Sequence, residues 1–426
     1  MATESRVDPR LRVLYLLSVA CGVFAFHRLP VVAAITAAQC VLWLAVGLGP
    51  RRLVRQLTKL WLFTIFIVAS YALTSVDRGT DRWLHLHLLS LAVRVNVAGA
   101  LAGLTMVLRI LCVIVAAQVA RAGDRRAVAA GLAKLGAPRI VAAPIDAVLA
   151  LLGGSSHGGG AGGGRGRGGG GGGGRGMGGG RTRELEQEKR PGGEGFWASL
   201  RRISRGDVRP IVERIDGHIA RVEEHLRDQG FEEHERDLAR DVAVIAGVAL
   251  TMLGIKALKV LPAIPFAPGY KSVVLTPLYI VARLRTRSRA GATFTGLTMG
   301  IVAFLAGDGR YGPFEILKHT APGVVCDLVV PPMTRGGRVP GPIAWSLLGA
   351  LIGAGRYATI FGIMLIVQPP RLAWALLLPG LALHTTFGVL SGWISWQIVR
   401  CMEPARGRNV AAPGAVVSNT VEGQAK

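Results

Sequence analysis

Apolar runs of membrane-crossing length alternate with short basic loops along most of this chain, and a span needs about 20 mainly apolar residues. In the first part such runs cover residues 11–26 and 30–48, a helical hairpin broken at His27-Arg28-Leu29-Pro30, then residues 60–75 and 98–120. Between the last two, Trp83, Leu86, Leu89 and Val93 recur at helical spacing beside His85, His87 and Arg94. That pattern predicts a helix over 83–95 lying in the interface, with Trp83 at the headgroup level. The later part holds six further runs, at 242–260, 272–282, 290–306, 314–330, 343–367 and 372–399. The second of these is short, and a re-entrant segment is its alternative reading. The expectation is an all-α polytopic membrane protein of about ten transmembrane helices.

The middle of the chain breaks this rhythm. Residues 124–135 and 138–152 read as two amphipathic helices, divided by Gly136-Ala137-Pro138, a helix stop followed by a restart. Residues 153–180 are almost all glycine with scattered arginines, and such a segment cannot bury enough apolar area to offset its ordering entropy. As a flexible coil of about 30 residues it spans on the order of 30 Å. Residues 196–240 are charged and helical in pattern: Asp207 is a cap with Pro210 in the first turn, and Ile211, Ile215, Val222 and Leu226 share one face. Glu223 and Arg227 stand at i,i+4 on the opposite face, the spacing of an ion pair. The predicted organisation is a membrane half over 1–152 that includes the first amphipathic helices, and a disordered Gly/Arg-rich linker over 153–195. Cytoplasmic helices follow over 196–239, a six-helix half over 240–402, and a disordered tail over 403–426.

Composition supports the membrane reading. Of 426 residues, 50% are hydrophobic and 18% charged, too little charge to cover a soluble protein of this size. The net charge of +24 fits either nucleic acid or the anionic inner face of a membrane, and the arginine clusters fall between the apolar runs, which favours the membrane. The first run reads as a membrane helix rather than a signal peptide, since no clear small-x-small cleavage site follows and a second run begins almost at once. Five cysteines without a CxxC pair suggest neither a disulfide framework nor a zinc site.

Orientation follows from the Lys/Arg bias of short loops. Arg51, Arg52, Arg55 and Lys59 mark one cytoplasmic loop, Arg283, Arg285, Arg287 and Arg289 another, Arg335 and Arg338 a third, and Arg400, Arg406 and Arg408 the tail. Four spans before the insert and six after it place all of these on one side, with both termini and the insert in the cytoplasm. Lys256, Lys259 and Lys271 are the exception, because they flank an outer loop.

Several chemistries are absent from the pattern. The glycine run lacks GK[ST], so it is no phosphate-cradling loop, and no HExxH occurs. His85 and His87, two apart on a helix, point to different sides and make a poor metal pair. The Arg-Gly repeats have an RNA-binding alternative, but no aromatics for base stacking accompany them, and a linker is the preferred reading. What remains is a set of polar groups at membrane depth, where they are costly. Glu315, Lys318 and His319 share one helix face at i, i+3 and i+4, and Asp327, Arg356 and His384 join them in the second half. Internal ion pairing and ligand binding are the two readings of this set. Ala243, Gly247, Thr251 and Gly254 place small residues along 242–260 for close helix packing.

Residues 96–152, NVAGALAGLTMVLRILCVIVAAQVARAGDRRAVAAGLAKLGAPRIVAAPIDAVLALL, together with the opening Asp8-Pro9-Arg10-Leu11 and its tight hairpin, resemble the T component of energy-coupling factor transporters. FAPGYKSVVLTPLYIVARL and GATFTGLTMGIVAFLAGDGRYGPFEILKHTAPGVVCDLVVP, with the six-span count, resemble that family's substrate-binding S component. The resemblance implies a T-component-like half fused to an S-component-like half in a bacterial cytoplasmic membrane. Separate ABC-type ATPase subunits would hydrolyse the ATP, and no cofactor or metal would be bound by this chain. It also implies docking arginines in short Ala-Arg-Gly motifs on the coupling helices. The nearest matches are Ser204-Arg205-Gly206 and Leu226-Arg227 with Gly230, and Arg121 is a further candidate; Ala405-Arg406-Gly407 lies in the polar tail. S components pack on their T partner through small residues of their first helix, the role implied for Ala243 and Gly247. Ala2 stands where nickel and cobalt members have histidine, which disfavours a metal substrate.

The expected function is therefore the membrane part of an importer of a small, water-soluble, vitamin-like substrate, with no nucleic-acid partner. The loop 261–270 holds Pro262, Pro265 and Pro268 and is stiff, and Phe266, Tyr270 and Tyr311 offer flat faces for a ring. Lys256, Lys259, Lys271 and Arg310 would draw an anion towards Glu315, Lys318, His319 and His384, whereas simple snorkelling of the lysines to headgroups is the plain alternative. Two other classes remain open: a membrane enzyme using Glu315, His319 and His384 for acid–base chemistry, and a receptor or scaffold without transport.

Overall fold

The computed structural model describes residues 7–26, 28–73, 81–88, 91–124, 126–154, 202, 207–229, 231, 235–257, 271–306, 313–335, 340–367 and 370–410. These are helical apart from one two-stranded hairpin. Helix α1 (Pro9–Ala25) starts where Asp8 Oδ1 accepts from the backbone N of Arg10 at 2.8 Å, with Pro9 in the first turn, where a missing N–H costs nothing. Helix α2 (Leu29–Ala45) restarts with Pro30 in its own first turn. Gly47 and Gly49, at φ 77° and 82°, then turn the chain into α3 (Pro50–Ala72). Arg51, Arg52 and Arg55, expected in a loop, are the first turns of α3, because Pro50 opens the helix well before the apolar run begins.

The interfacial helix expected over 83–95 is instead a β-hairpin. Strand β1 (Trp83–Leu88) pairs antiparallel with β2 (Leu91–Asn96), in a register running from Trp83 opposite Asn96 to Leu88 opposite Leu91. The reason is periodicity: Leu84-His85-Leu86-His87-Leu88 alternates strictly with period two, and β2 carries β-branched Val93 and Val95. Asn96 Nδ2 donates to Asp81 Oδ1 at 2.6 Å and closes the base of the hairpin.

Helix α4 (Val97–Ala120) is the centre of the first half, with α1, α2 and α3 around it. Arg12, buried, donates through one guanidinium nitrogen to the carbonyls of Ala120 (3.3 Å) and Ala122 (2.9 Å), placing a cation at the C-terminal end of α4. Helices α5 (Ala127–Lys134) and α6 (Arg139–Gly154) follow, parted at Gly136 with φ 90°. Residues 155–200, which contain the glycine run, lie outside the described residues.

Helix α7 (Arg209–Asp228) buries Ile215, Ile219, Val222 and Leu226 against α8 (Arg236–Ala257). Asp207 Oδ1 accepts from the backbone N of Arg209 at 3.2 Å. Glu223 and Arg227 sit on the exposed face without the expected ion pair between them. Helices α9 (Ser272–Arg285), α10 (Gly291–Leu305), α11 (Phe314–Met333), α12 (Pro342–Val367) and α13 (Pro370–Val410) complete the chain. The tail expected from residue 403 is helical through Val410.

The two halves share one core. Val13, Ala116, Ile145 and Val148 belong to the same buried apolar cluster as Val244, Met252, Leu278 and Met299, through α6 on α8 and α10 and α4 on α10. The basic loop between α9 and α10 is tied down by acids: Asp241 accepts from the backbone N–H groups of Arg287 and Ser288, both at 2.8 Å. Three of its four arginines are paired as well, Arg283 with Asp327 at 3.5 Å, Arg285 with Asp216 and Arg287 with Asp237. Among the described residues four helices are long and apolar enough to cross a membrane, Val97–Ala120, Arg236–Lys256, Pro342–Ile366 and Ala373–Met402, and Leu29–Ala45 and Gly291–Leu305 are shorter apolar helices.

Candidate functional site

The polar groups of the second half meet between α8, α9 and α11, with α12 and α13 behind them. Glu315 stands in the first turn of α11 and is 1% exposed. Its Oε1 receives Lys256 Nζ at 3.3 Å from the last turn of α8, Lys318 Nζ from one turn on, and His319 Nε2 at 3.2 Å. The i, i+3, i+4 spacing read from sequence thus brings Glu315, Lys318 and His319 onto one carboxylate oxygen. Gly296 and Gly300 of α10 make the site possible, since a Cβ at Gly296 would lie 2.2 Å from the His319 carbonyl oxygen. Lys271 Nζ donates to the Lys256 carbonyl at 3.1 Å, which clasps the two helix ends joined by residues 258–270.

Deeper in, Tyr279 of α9 meets His319 Nδ1 at 3.4 Å. An ionised Glu315 only accepts, so His319 Nε2 donates to it, and in the neutral imidazole Nδ1 then accepts from the Tyr279 hydroxyl. The result is a hydrogen-bonded chain, Tyr279 to His319 to Glu315, carried by a neutral imidazole. Arg356 of α12 is buried, and its charge acts on Tyr279, Lys318 and His384. His384 Nδ1 donates to the Gly380 carbonyl at 2.9 Å, and its ring lies 5.0 Å from that of Tyr357. His384 thus bonds within its own helix, and no bond to Glu315 joins it among the described residues.

Of the buried atoms without a hydrogen-bond partner among the described residues, two belong to this region: Glu315 Oε2, an acceptor, and Arg356 Nε, a donor. Such atoms are costly to leave unpaired, so a site that offers one of each is chemically open to a ligand. Lys256 and Lys318 both reach the Glu315 carboxylate, and Arg356 adds a third positive charge that acts on Lys318. Among the described residues no group of three His, Cys, Asp or Glu side chains is placed to hold a metal ion.

Other expected residues stand elsewhere. Asp327 is not in the cluster; it accepts from the backbone N of Ala292 (3.2 Å) and from the backbone N and hydroxyl of Thr293 (both 2.7 Å), capping α10 at the opposite end. Lys259, Tyr270 and Arg310 lie outside the described residues, as do Arg205 and Gly206. Arg121 Nε donates back to the Ala117 carbonyl at 3.4 Å, and Arg227 is exposed at the end of α7. Of the small residues of α8, Ala243 and Thr251 are buried and Gly247 is pressed on Ile219 of α7, whereas Gly254 is exposed with open space around its Cα.

Sequence reasoning missed two features. Tyr279 sits inside an apolar run, and a tyrosine there carries no periodic signal. The tightest helix pair, α12 with α13, is built on Gly349 and Gly353 against Gly388 and Gly392, where an added Cβ would lie 2.1–2.3 Å from facing carbonyl oxygens. Both pairs have the Gly-x-x-x-Gly spacing that lets helix backbones approach, a signal present in the sequence.

The fold is that of an α-helical protein with helices of membrane-crossing length and a polar cluster buried among them. Compared with known protein families, curated proteins and solved structures, the chain matches none.

Proposed function

We propose that this chain is the membrane subunit of an energy-coupling-factor-type importer, joining a coupling half to a half that binds a small water-soluble substrate. About ten spans, both termini in the cytoplasm of a bacterial cell and separate ABC-type ATPases as partners belong to this reading. The observation that carries the binding half is the buried meeting of Lys256, Lys318 and His319 on Glu315, with an unpaired acceptor on Glu315 and an unpaired donor on the nearby buried Arg356. An anionic substrate fits the cationic side chains of Lys256, Lys318 and Arg356, and Glu315 Oε2 favours one that also carries an N–H or O–H group. Support for the coupling half is the sequence alone, at Arg205-Gly206 and in residues 96–152.

The test is co-purification from the native membrane, with mass spectrometry of both protein partners and retained small molecules. ATPase subunits and an anionic compound are expected. Arg205→Glu should remove the ATPases while the membrane helices stay folded, because a docking arginine bonds carboxylates and carbonyls together. Absence of any ATPase and any retained compound overturns the reading. The Tyr279–His319–Glu315 chain favours one second reading, an acid–base membrane enzyme, which predicts turnover of the retained compound without ATP.

A further inference from the structure

A second cationic site lies at the far end of α13, away from the buried cluster. Over Ala373–Met402 this helix is apolar and long enough to span, yet only 17% of its most apolar stretch is buried by protein. One outward stripe runs along it: Val389, Leu390 and Trp393 are exposed, and a turn further on come Trp396, Gln397 and Arg400. Where the stripe meets the first residue of α7, an open cavity of about 520 Å³ is lined by Arg209, Trp396, Gln397, Arg400 and Cys401.

Among the described residues no acid compensates the charges there. Arg400 lies over the Trp396 ring, 4.9 Å from its centre, which orients the guanidinium without neutralising it. Asp207 touches only the backbone N of Arg209, and its carboxylate is engaged by Arg202 at 3.4 Å. Among the described residues neither Arg209 nor Arg400 has a carboxylate partner. Guanidinium forks match phosphate oxygens, and an indole at the end of an apolar stripe marks the headgroup level of a bilayer.

We propose that this cavity holds the headgroup phosphate of an anionic phospholipid, with its acyl chains along Val389, Leu390 and Trp393. A soluble phosphate would use the arginines but not the stripe, and the adjoining apolar surface decides between them. The inference rests on α13 crossing the membrane and is independent of transport, since uptake does not enter the readout.

The full chain, purified in mild detergent, is exposed to equal amounts of phosphatidylglycerol and phosphatidylcholine, and bound lipid is read by native mass spectrometry. Phosphatidylglycerol should be preferred, and Arg209→Gln and Arg400→Gln should each lower its retention about fivefold, since a basic residue at the surface contributes about 1 kcal/mol. Arg400→Lys should keep most of the preference, and Arg335→Gln, at an exposed turn elsewhere, should keep all of it. Equal retention of both lipids overturns the proposal. So does an unchanged preference in the double glutamine variant, or displacement of the lipid by millimolar inorganic phosphate.

Discussion

Gly247 of α8 and Ile219 of α7 meet backbone to backbone: a Cβ at position 247 would lie 2.7 Å from Ile219 Cγ1, 2.8 Å from its N and 2.9 Å from its Cα. The charged helix after the insert is thereby seated on one of the most buried helices of the second half. Gly247→Ala should cost about 1–3 kcal/mol through overpacking against that backbone. Gly254→Ala, seven residues on and facing open space, should instead gain about 0.5–1 kcal/mol from helix propensity. Thermal unfolding of the detergent-solubilised protein separates them; equal melting of both variants would mean that α7 is not held by this contact.

The same crossing should be pH-sensitive. His218 Nδ1 lies 2.8 Å from Thr251 Oγ1, whose own hydrogen goes to the Gly247 carbonyl at 2.9 Å, so the imidazole donates. Burial, then the charges of Arg221 and Arg214, push the His218 pKa down to about 4. The folded value lies below the ordinary 6.5, so the unfolded chain takes up the proton first. Stability contributed here is complete above pH 6.5, falls as pH drops towards 4, and is flat below. With the ring only half enclosed, solvent screening reduces the effect to about 1 kcal/mol. His218→Gln, which still donates to Thr251, should flatten melting temperature against pH in that window; an unchanged slope would place the titration elsewhere.

Much of this architecture is legible in the sequence, and its failures have physical causes. The α4 and α10 boundaries follow the apolar runs closely, because long continuous runs leave no competing period. Residues 83–95 mislead, because Trp83, Leu86, Leu89 and Val93 match a helix while the intervening histidines and valines match a strand, and strand pairing wins. Glu315, Lys318 and His319 are readable as one face, since helical spacing is local information. That Lys256 and Tyr279 complete the cluster is tertiary information, which no local pattern holds. Asp327 shows the opposite error: at membrane depth by count, it proves to be a helix cap.

Arg12 should be a structural residue of the first half. Its guanidinium satisfies the carbonyls of Ala120 and Ala122, which the end of α4 would otherwise leave unpaired. Arg12→Met should cost about 1–3 kcal/mol. Arg12→Lys should recover part of that, because one ammonium can reach a carbonyl without the fork. Hydrogen exchange at the end of α4 is the check; unaltered protection in Arg12→Met would refute the capping role.

Topology is testable independently of function. Single cysteines in place of Gly170 and Arg408 should be shielded from membrane-impermeant thiol reagents in intact cells, and one in place of Gly309 should react. The pairing of Arg283, Arg285 and Arg287 with Asp327, Asp216 and Asp237 weakens the charge argument for that loop, so labelling carries the decision. Reaction at Gly170 from outside would invert the arrangement.

Glu315 distinguishes a binding site from an internal brace. Its carboxylate is paired with both Lys256 and Lys318, and breaking a buried pair by removing one partner costs about 3–5 kcal/mol. Glu315→Gln should therefore lower the melting temperature sharply. Adding Lys318→Met removes one of the stranded cations, and replacing both partners of a buried pair is often neutral. The double variant should thus regain at least half of the lost stability. Ligand retention should behave differently, because a substrate that uses Glu315 Oε2 and the lysine charge loses both in the double variant. Recovered stability with retention still absent identifies the cluster as a site. Recovery of stability and retention together would make it a brace, and the substrate would have to be sought away from α11.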